Sequence, residues 1–375
     1  MHIILVFTYG ISLKNWEESG ILTREIELYK KLHYEKNAKI TFITFGNKQD
    51  EKFSKLIDDL EIIPIYKDIK KSNFSLVNLI KSLYAAFKIQ INKDDATFIK
   101  TNQLNGSWVA LALKLKYRLP LYVRTGYNLF EFSIREKKSI IVKIFNYLLT
   151  QIMLFASDEY SVSSQSDKDY LNKNFLMSKN IIIIPNWVSD NVFRKFDDRY
   201  ENRVLAVGRL ENQKNFKTLI EVLSKSEIFL DIVGTGSQRI ELEELANTVD
   251  TRLNLLGNLD YSDLNKLYSK YRLFILPSFF EGNPKVVLEA MSRGTLVVAK
   301  ENKNLEEVIK TSENGILFED SSKLLKIIKY YLSHEDEWSN LTTNAYTTIK
   351  ENNLLDKITE DEVNIYLRII ENRKA

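Results

Sequence analysis

Short runs of β-branched and aromatic residues alternate along the whole chain with longer stretches whose apolar residues recur at helical spacing. This alternation predicts parallel sheets covered by helices on both faces. In the first half it predicts strands at residues 3–7, 40–45, 61–66, 96–101, 120–125, 159–163 and 181–185, with helices in the gaps. In the second half the predicted strands are 203–207, 229–233, 253–256, 273–276, 295–299 and 315–318. The rhythm restarts near residue 200. Between the halves lies PNWVSDNVFRKFDDRYENR, with a proline, clustered polar residues and no periodicity, which places a linker at residues 186–202. The fold class is therefore α/β: two doubly wound, Rossmann-like domains, at residues 1–198 and 199–351, facing a cleft in which a ligand is expected.

A chain of 375 residues exceeds what one core usually serves, and its 44% hydrophobic content is enough to build two. Lysine and arginine number 53 against 50 acidic residues, a net charge of +3 with no block of like charge, so a nucleic-acid footprint is not expected. The absence of cysteine excludes disulfides, thiolate metal sites and cysteine nucleophiles and suits a reducing compartment, so a cytoplasmic protein is expected. MHIILVFTYG has no basic leader and no long apolar core, and reads as a first strand, not a signal peptide. Residues 139–157 come nearest to a membrane span, but Lys143, Asn146 and Gln151 interrupt them.

Candidate chemistry concentrates in PSFFEGNPKVVLEAMSRGTLVV, residues 277–298. The segment is one strand, turn and helix, with Pro284 in the first helical turn and Gly294 as the stop. At the carboxyl end of a parallel strand, Glu281 in the turn and Glu289 in the helix are placed to grip vicinal hydroxyls of one elongated ligand, such as a sugar. An alternative is that Glu281 only complements the helix dipole and that Lys285 and Glu289 form an i,i+4 surface pair. In VGRLENQKN, Arg209 ends the first strand of the second half and Lys214 precedes a helix, two cations suited to a nucleotide diphosphate or simply surface charge. In IVGTGSQR, Gly234, Thr235 and Gly236 close a strand as a close backbone approach to a ligand requires, though the run is not a GxGxxG fingerprint.

Taken in order, SGILTREIELYKKL, PNWVSDNVF, VGRLENQKN, IVGTGSQR, LPSFFEGNPKVVLEAMSRG and ENGILFE resemble the GT-B glycosyltransferases of the large retaining family four, over nearly the whole chain. The resemblance implies a retaining, hexosyltransferase-type enzyme that moves a sugar from a UDP- or GDP-sugar, a substrate and not a cofactor, to a saccharide or lipid-linked acceptor. The setting it implies is bacterial-type surface polysaccharide or glycolipid assembly. It implies that Arg209 and Lys214 hold the donor diphosphate, that Glu281 contacts the donor sugar and that Glu289 contacts the ribose. Backbone N–H groups of Gly282, Asn283 and Lys285 would assist, with Val286 and Gly234 also at the donor, and the loop around Gly10 and Gly20 would close over the phosphates. The first domain would bind the acceptor, and the terminal helix, within residues 352–375, would pack back onto it. Arg124, Thr125, Gly126, Tyr127 and Asn186 fall on the acceptor side. There the chain departs from the family: it has no histidine in VRTGYN, and a bulky Trp187 in the linker where NGVD is common.

His2, His33 and His334 lack metal-like partners and are expected to be structural or exposed. Asp167 and Asp169 have DxD spacing, but follow Ser166 where a helix begins and are expected to serve as capping charge, so no metal site is predicted. Arg135, Lys137, Lys138 and Lys143 accompany an apolar stripe at Ile141, Ile144, Phe145, Leu148, Ile152 and Phe155. That stripe is either a core helix with a basic end or a peripheral contact with anionic lipid at the inner face of a membrane. Two other functions suit the same architecture: a nucleotide-sugar epimerase or hydrolase, and a non-catalytic sugar-nucleotide or glycan-binding protein.

Overall fold

The computed structural model describes residues 1–176, 180–189 and 199–374. Part of the expected linker, residues 190–198, lies outside the described residues. All thirteen predicted strands form, with ends within two residues of the expected ones except that the strand expected from residue 203 begins at Tyr200. The chain divides into two units, Met1–Pro185 with Ile358–Ala375, and Asn186–Lys357.

The first unit is built on seven strands: β1 (His2–Val6), β2 (Lys39–Thr44), β3 (Glu61–Pro64), β4 (Thr97–Thr101), β5 (Leu121–Arg124), β6 (Glu159–Val162) and β7 (Ile182–Ile183). They pair in parallel in the order β3-β2-β1-β4-β5-β6-β7. Helices on both faces explain why all five residues of β1, HIILV, are buried: a strand covered twice has no solvent side to make polar. The second unit has six: β8 (Tyr200–Val207), β9 (Phe229–Val233), β10 (Leu253–Gly257), β11 (Tyr271–Leu276), β12 (Leu296–Lys300) and β13 (Ile316–Phe318), in the order β10-β9-β8-β11-β12-β13. Two apolar clusters line this sheet, one around Phe216, Leu230 and Trp338, the other around Phe274, Leu288 and Met291. In each sheet the strand order reverses beside the unit's first strand, between β1 and β4 and between β8 and β11, the crevice where open α/β sheets take ligands.

Two local readings change. Strand β8 begins at Tyr200, inside the expected linker, because Tyr200 pairs with Tyr271 and its N–H donates to Lys270 O across 2.8 Å. The helix expected after Ser166 is the Gln165–Asn174 helix, capped by Ser164, whose side chain accepts from the N–H of Asp167.

The terminal helix, Leu355–Lys374, starts in the second unit and belongs to the first from Ile358 onward. There it closes a buried ionic knot. Lys100, the one charge in the apolar strand TFIKT, is fully buried, bonds the carboxylate of Glu362 and donates to Tyr366 Oη at 2.9 Å. Arg124 Nε stands 3.3 Å from the other oxygen of Glu362. Burial pushes Lys100 down to about 8, against the pull of the Glu362 charge. Burial alone would raise the Glu362 carboxyl, but the Lys100 and Arg124 charges hold it below its ordinary value.

Candidate functional site

Three loops at the carboxyl ends of neighbouring strands β9, β8 and β11 carry the candidate donor residues of the second unit. Hydrogen bonds join them to one another. Leu210 N donates to Thr235 O at 2.9 Å and Gln238 N to Leu210 O at 3.0 Å, which joins the loops after β8 and β9. On the other side Phe279 N donates to Gln213 O at 3.0 Å, Gln213 Nε2 to Phe280 O at 2.9 Å and Asn215 Nδ2 to Pro277 O at 3.1 Å. The glycines of IVGTGSQR serve this stitching. A Cβ on Gly234, whose φ is +140, would stand 2.0 Å from Gly208 O, and one on Gly236 would stand 2.5 Å from Leu210 O. Backbone thus approaches backbone at both glycines.

Lys214 and Glu281 meet at the centre of this patch. Lys214, at the end of the short 3-10 turn Asn212–Lys214, places Nζ 2.6 Å from Glu281 Oε1, and the two side chains are 12% and 7% exposed. Glu281 is itself anchored through its backbone, since Asn304 Nδ2 donates to Glu281 O at 3.0 Å. Because an ammonium has three N–H donors, Lys214 can hold Glu281 and still offer protons to an anion. Arg209 is exposed, and its Nη2 lies 3.4 Å from Gln213 Oε1.

Glu289 is 1% exposed in the Lys285–Ser292 helix, and Tyr268 donates to its Oε2 at 3.3 Å. A surface pair with Lys285 does not describe this residue: the carboxylate is inside the fold, and Lys285 Nζ stands 3.3 Å from the ring centroid of Trp187. Pro284 is the residue before the first helical turn, and Gly294 (φ +71) stops the helix as expected. Gly282 and Asn283 are buried in the turn, and Val286 is half-buried against the apolar cluster below. Asn186, assigned by resemblance to the acceptor side, bonds Asn283: its N–H donates to Asn283 Oδ1 at 3.3 Å and its Nδ2 to Asn283 O at 2.5 Å.

In the first unit Gly10 and Gly20 both take positive φ, +79 and +71, and a Cβ on Gly10 would meet nothing within 4 Å. Arg124 ends β5 with its guanidinium beside Glu362. Thr125 is buried, with Oγ1 3.4 Å from Ser161 O. Gly126 N donates to Gln103 Oε1 at 2.9 Å, and the ring of Tyr127 packs on Phe132 at 4.6 Å. The positioning residues Gln213, Tyr268, Asn304 and Gln103 escaped the sequence reading, since a single polar residue in a loop or helix carries no periodic signal. Lys100 was readable in principle, as a charge inside an otherwise apolar strand.

The histidines are structural. His2 Nε2 pairs with Thr41 Oγ1 at 2.8 Å, His33 Nδ1 with Ala38 O at 2.9 Å and His334 Nδ1 with Tyr330 O at 2.8 Å. Asp167 is buried in the first turn of its helix, and Asp169 bonds Gln165 at 2.6 Å. Among the described residues no group of three or more His, Cys, Asp or Glu is placed to hold a metal ion, and no helix is long and apolar enough to cross a membrane.

Comparison with known proteins agrees with this geometry. Solved structures share the fold over nearly the whole chain. A sucrose-phosphate synthase from Thermosynechococcus elongatus matches with a TM-score of 0.83 at 18% identity, covering 99% of this chain and 100% of that one. Anabaena Alr3699/HepE, solved in complex with UDP and glucose, matches with a TM-score of 0.74 at 16% identity, covering 97% and 99%. Both units are thus of the GT-B type. In sequence, a Campylobacter jejuni α-1,4-N-acetyl-D-galactosaminyltransferase acting on an undecaprenol-linked GalNAc saccharide is 28% identical over 205 residues, 52% of this chain and 56% of that protein. The amylovoran biosynthesis glycosyltransferase AmsD of Erwinia amylovora is 27% identical over 240 residues, 61% of this chain and 64% of that protein. The matches therefore span little more than half the length of these relatives. The family model "Glycosyl transferases group 1" matches residues 190–348, so the stretch that carries Arg209, Lys214, Glu281 and Glu289 is similar to that family.

Proposed function

We propose that this protein transfers a hexose-type sugar from a UDP- or GDP-sugar to a saccharide or lipid-linked acceptor with retention of anomeric configuration. Its place would be surface polysaccharide or glycolipid assembly at the cytoplasmic face of a membrane. The observation that carries the reading is the Lys214–Glu281 pair, 2.6 Å apart and almost fully enclosed, at the meeting point of three hydrogen-bonded loops. When the bond from the anomeric carbon to the diphosphate breaks, negative charge collects on the leaving phosphate oxygen. Fixed cations stabilise that charge most where water is excluded and where they need no reorganisation. Lys214 supplies one such cation, already oriented by Glu281, and the exposed Arg209 adds a guanidinium fork that can bind a phosphate in bidentate fashion. Glu281 would address the donor sugar, with Glu289 deeper, toward the ribose. Gly234, Gly282, Asn283, Lys285 and Val286 would shape the rest of the donor site in the second unit, and Gly10 and Gly20 remain the phosphate-side glycines proposed for the first. Arg124, Thr125, Gly126, Tyr127 and Asn186 remain the proposed acceptor side. The bonds of Asn186 to Asn283 and of Gly126 to Gln103 give those two a positioning role. No cofactor and no divalent metal enters this mechanism. The relatives' own names, one acting on an undecaprenol-linked saccharide and one in amylovoran biosynthesis, support the acceptor class.

Incubation with labelled UDP- and GDP-sugars, with and without saccharide and lipid-linked acceptors, tests the reading. Label moving to an acceptor supports it. Free sugar or an epimer formed equally well without acceptor would assign an epimerase or hydrolase, and saturable binding with no product would assign a binding protein.

A further inference from the structure

We propose that the helical layer over one face of the first unit's sheet is a docking platform for an anionic lipid bilayer, formed by the Ser75–Lys88 and Ile140–Ala156 helices together. The proposal deepens the glycosyltransferase reading by naming the surface on which a lipid-linked acceptor is met, and it rests on that reading only for the acceptor.

The Ser75–Lys88 helix is inside out. Its buried residues are Asn78, Ser82, Ala85 and Ala86, small or polar, while Ile80, Tyr84 and Phe87 face outward at 59%, 53% and 58% exposure. Burial of apolar surface drives folding, so a helix that buries its small residues and presents its large ones is matched to an apolar medium outside. The Ile140–Ala156 helix does the same on its outer side, where Ile141, Ile144, Leu148, Ile152 and Phe155 are between 48% and 76% exposed. Sixteen of the twenty-four large hydrophobic side chains that stand exposed among the described residues fall between residues 74 and 155, which marks one region and not a general property of the surface.

The two helices flank a third, Ser107–Tyr117, and Trp108 of that helix touches both: its Nε1 donates to Ser82 Oγ at 2.9 Å and its ring centroid lies 5.9 Å from that of Phe145. Their outer faces therefore belong to one layer. Charge selects the occupant. Neither helix contains an aspartate or glutamate, and their only charged residues are Lys81, Lys88 and Lys143. Leaving out Lys100 and Arg124, which face the buried Glu362, ten lysines and arginines stand against four acidic residues between residues 74 and 156, in a chain whose net charge is only +3. A second copy of the chain fits this surface poorly, because an isologous contact would bring the same lysines face to face with no carboxylate on either helix to pair them. Among the described residues no helix is long and apolar enough to cross a bilayer, and the two lie in its plane, apolar faces among the acyl chains and lysines at the headgroups.

The test is co-sedimentation of the full chain with phosphatidylcholine vesicles with and without phosphatidylglycerol, at low and high salt. The expected result is binding to the anionic vesicles that weakens with salt. Each lysine near an anionic surface strengthens binding roughly fivefold, so Lys88→Gln with Lys138→Gln and Lys143→Gln should lower partitioning about a hundredfold. Ile80→Glu with Phe87→Glu on one helix, or Ile144→Glu with Leu148→Glu on the other, should each lower it at least tenfold while nucleotide binding is retained. Nucleotide binding reports that the variant is folded. Failure of the wild type to sediment with anionic vesicles would overturn the proposal. So would an Ile80→Glu, Phe87→Glu variant that sediments like wild type, or a wild-type dimer that these substitutions dissociate while vesicle binding is unchanged. Vesicle binding without sugar transfer would instead leave the platform standing and remove the enzymatic reading.

Discussion

Lys214→Ala separates the two tasks assigned to one ammonium. Nζ is 2.6 Å from Glu281 Oε1, with both side chains nearly enclosed, so removing the lysine leaves a carboxylate of 7% exposure without its cation. Breaking a buried pair in this way costs about 3–5 kcal/mol, and the residual access of water argues for the low end, about 3 kcal/mol. In a unit of this size that loss lowers the melting temperature by roughly 6–12 °C. Replacing Glu281 as well removes the stranded charge, so Lys214→Ala with Glu281→Gln should recover most of the lost stability. Activity should respond differently. If Lys214 also neutralises the leaving diphosphate, its loss costs roughly 100-fold to 1,000-fold in turnover, and the double variant should remain well below Glu281→Gln alone. Differential scanning fluorimetry of the four proteins reads the first quantity and single-turnover transfer reads the second. A Lys214→Ala melting temperature within a degree of wild type would refute the ion pair as a stabilising contact. Equal turnover in Glu281→Gln and the double variant would refute the diphosphate role.

Glu289→Ala should weaken UDP or GDP binding measured by calorimetry, whereas Glu281→Ala should chiefly lower turnover; unchanged nucleotide affinity in Glu289→Ala would remove the ribose assignment. Transfer should persist in EDTA, and Arg209→Ala with Lys214→Ala should cost less than the product of the single effects because both serve one diphosphate; activity abolished by EDTA and restored by magnesium or manganese would assign that charge to a metal. Since the Glu362 carboxyl is held below its ordinary 4.5, the unfolded chain takes up its proton first as the solution is acidified, and this contribution to stability is lost as pH falls from about 4.5 through the folded value. Glu362→Gln should be less stable than wild type at pH 7, and its melting temperature should fall less on acidification to pH 4; parallel curves would show that the knot of Lys100, Arg124 and Glu362 carries no proton linkage.

Strand periods, which depend only on whether each residue meets core or solvent, were legible in the chain as written: short runs such as HIILV and FLDIV, rich in β-branched and aromatic residues, fit strands of a sheet covered on both faces. The carboxylates of EGNPKVVLE and the cations of VGRLENQKN were legible too, because glycine, proline and charge at strand ends leave a local signature. What the sequence left open was partnership. Nothing between residues 214 and 281 in the chain says that Lys214 and Glu281 touch; that follows from β8 and β11 being neighbours in the sheet, which parallel pairing across a long crossover decides. Glu289 read equally well as a surface partner of Lys285 until packing against Tyr268 put it inside. That Gly234 must be glycine was legible at the end of its strand, but the contact that requires it, Gly208 O 2.0 Å from where a Cβ would stand, is set by the adjacent loop. Lys100 and Glu362 are joined across most of the chain, and only the fold of the terminal helix onto the first sheet makes two costly buried charges into one neutral contact. The amphipathic stripe of residues 141–155 was visible as periodicity, but which way it faced was not: helical spacing fixes that a stripe exists, and only the tertiary structure decides whether the core or the exterior receives it.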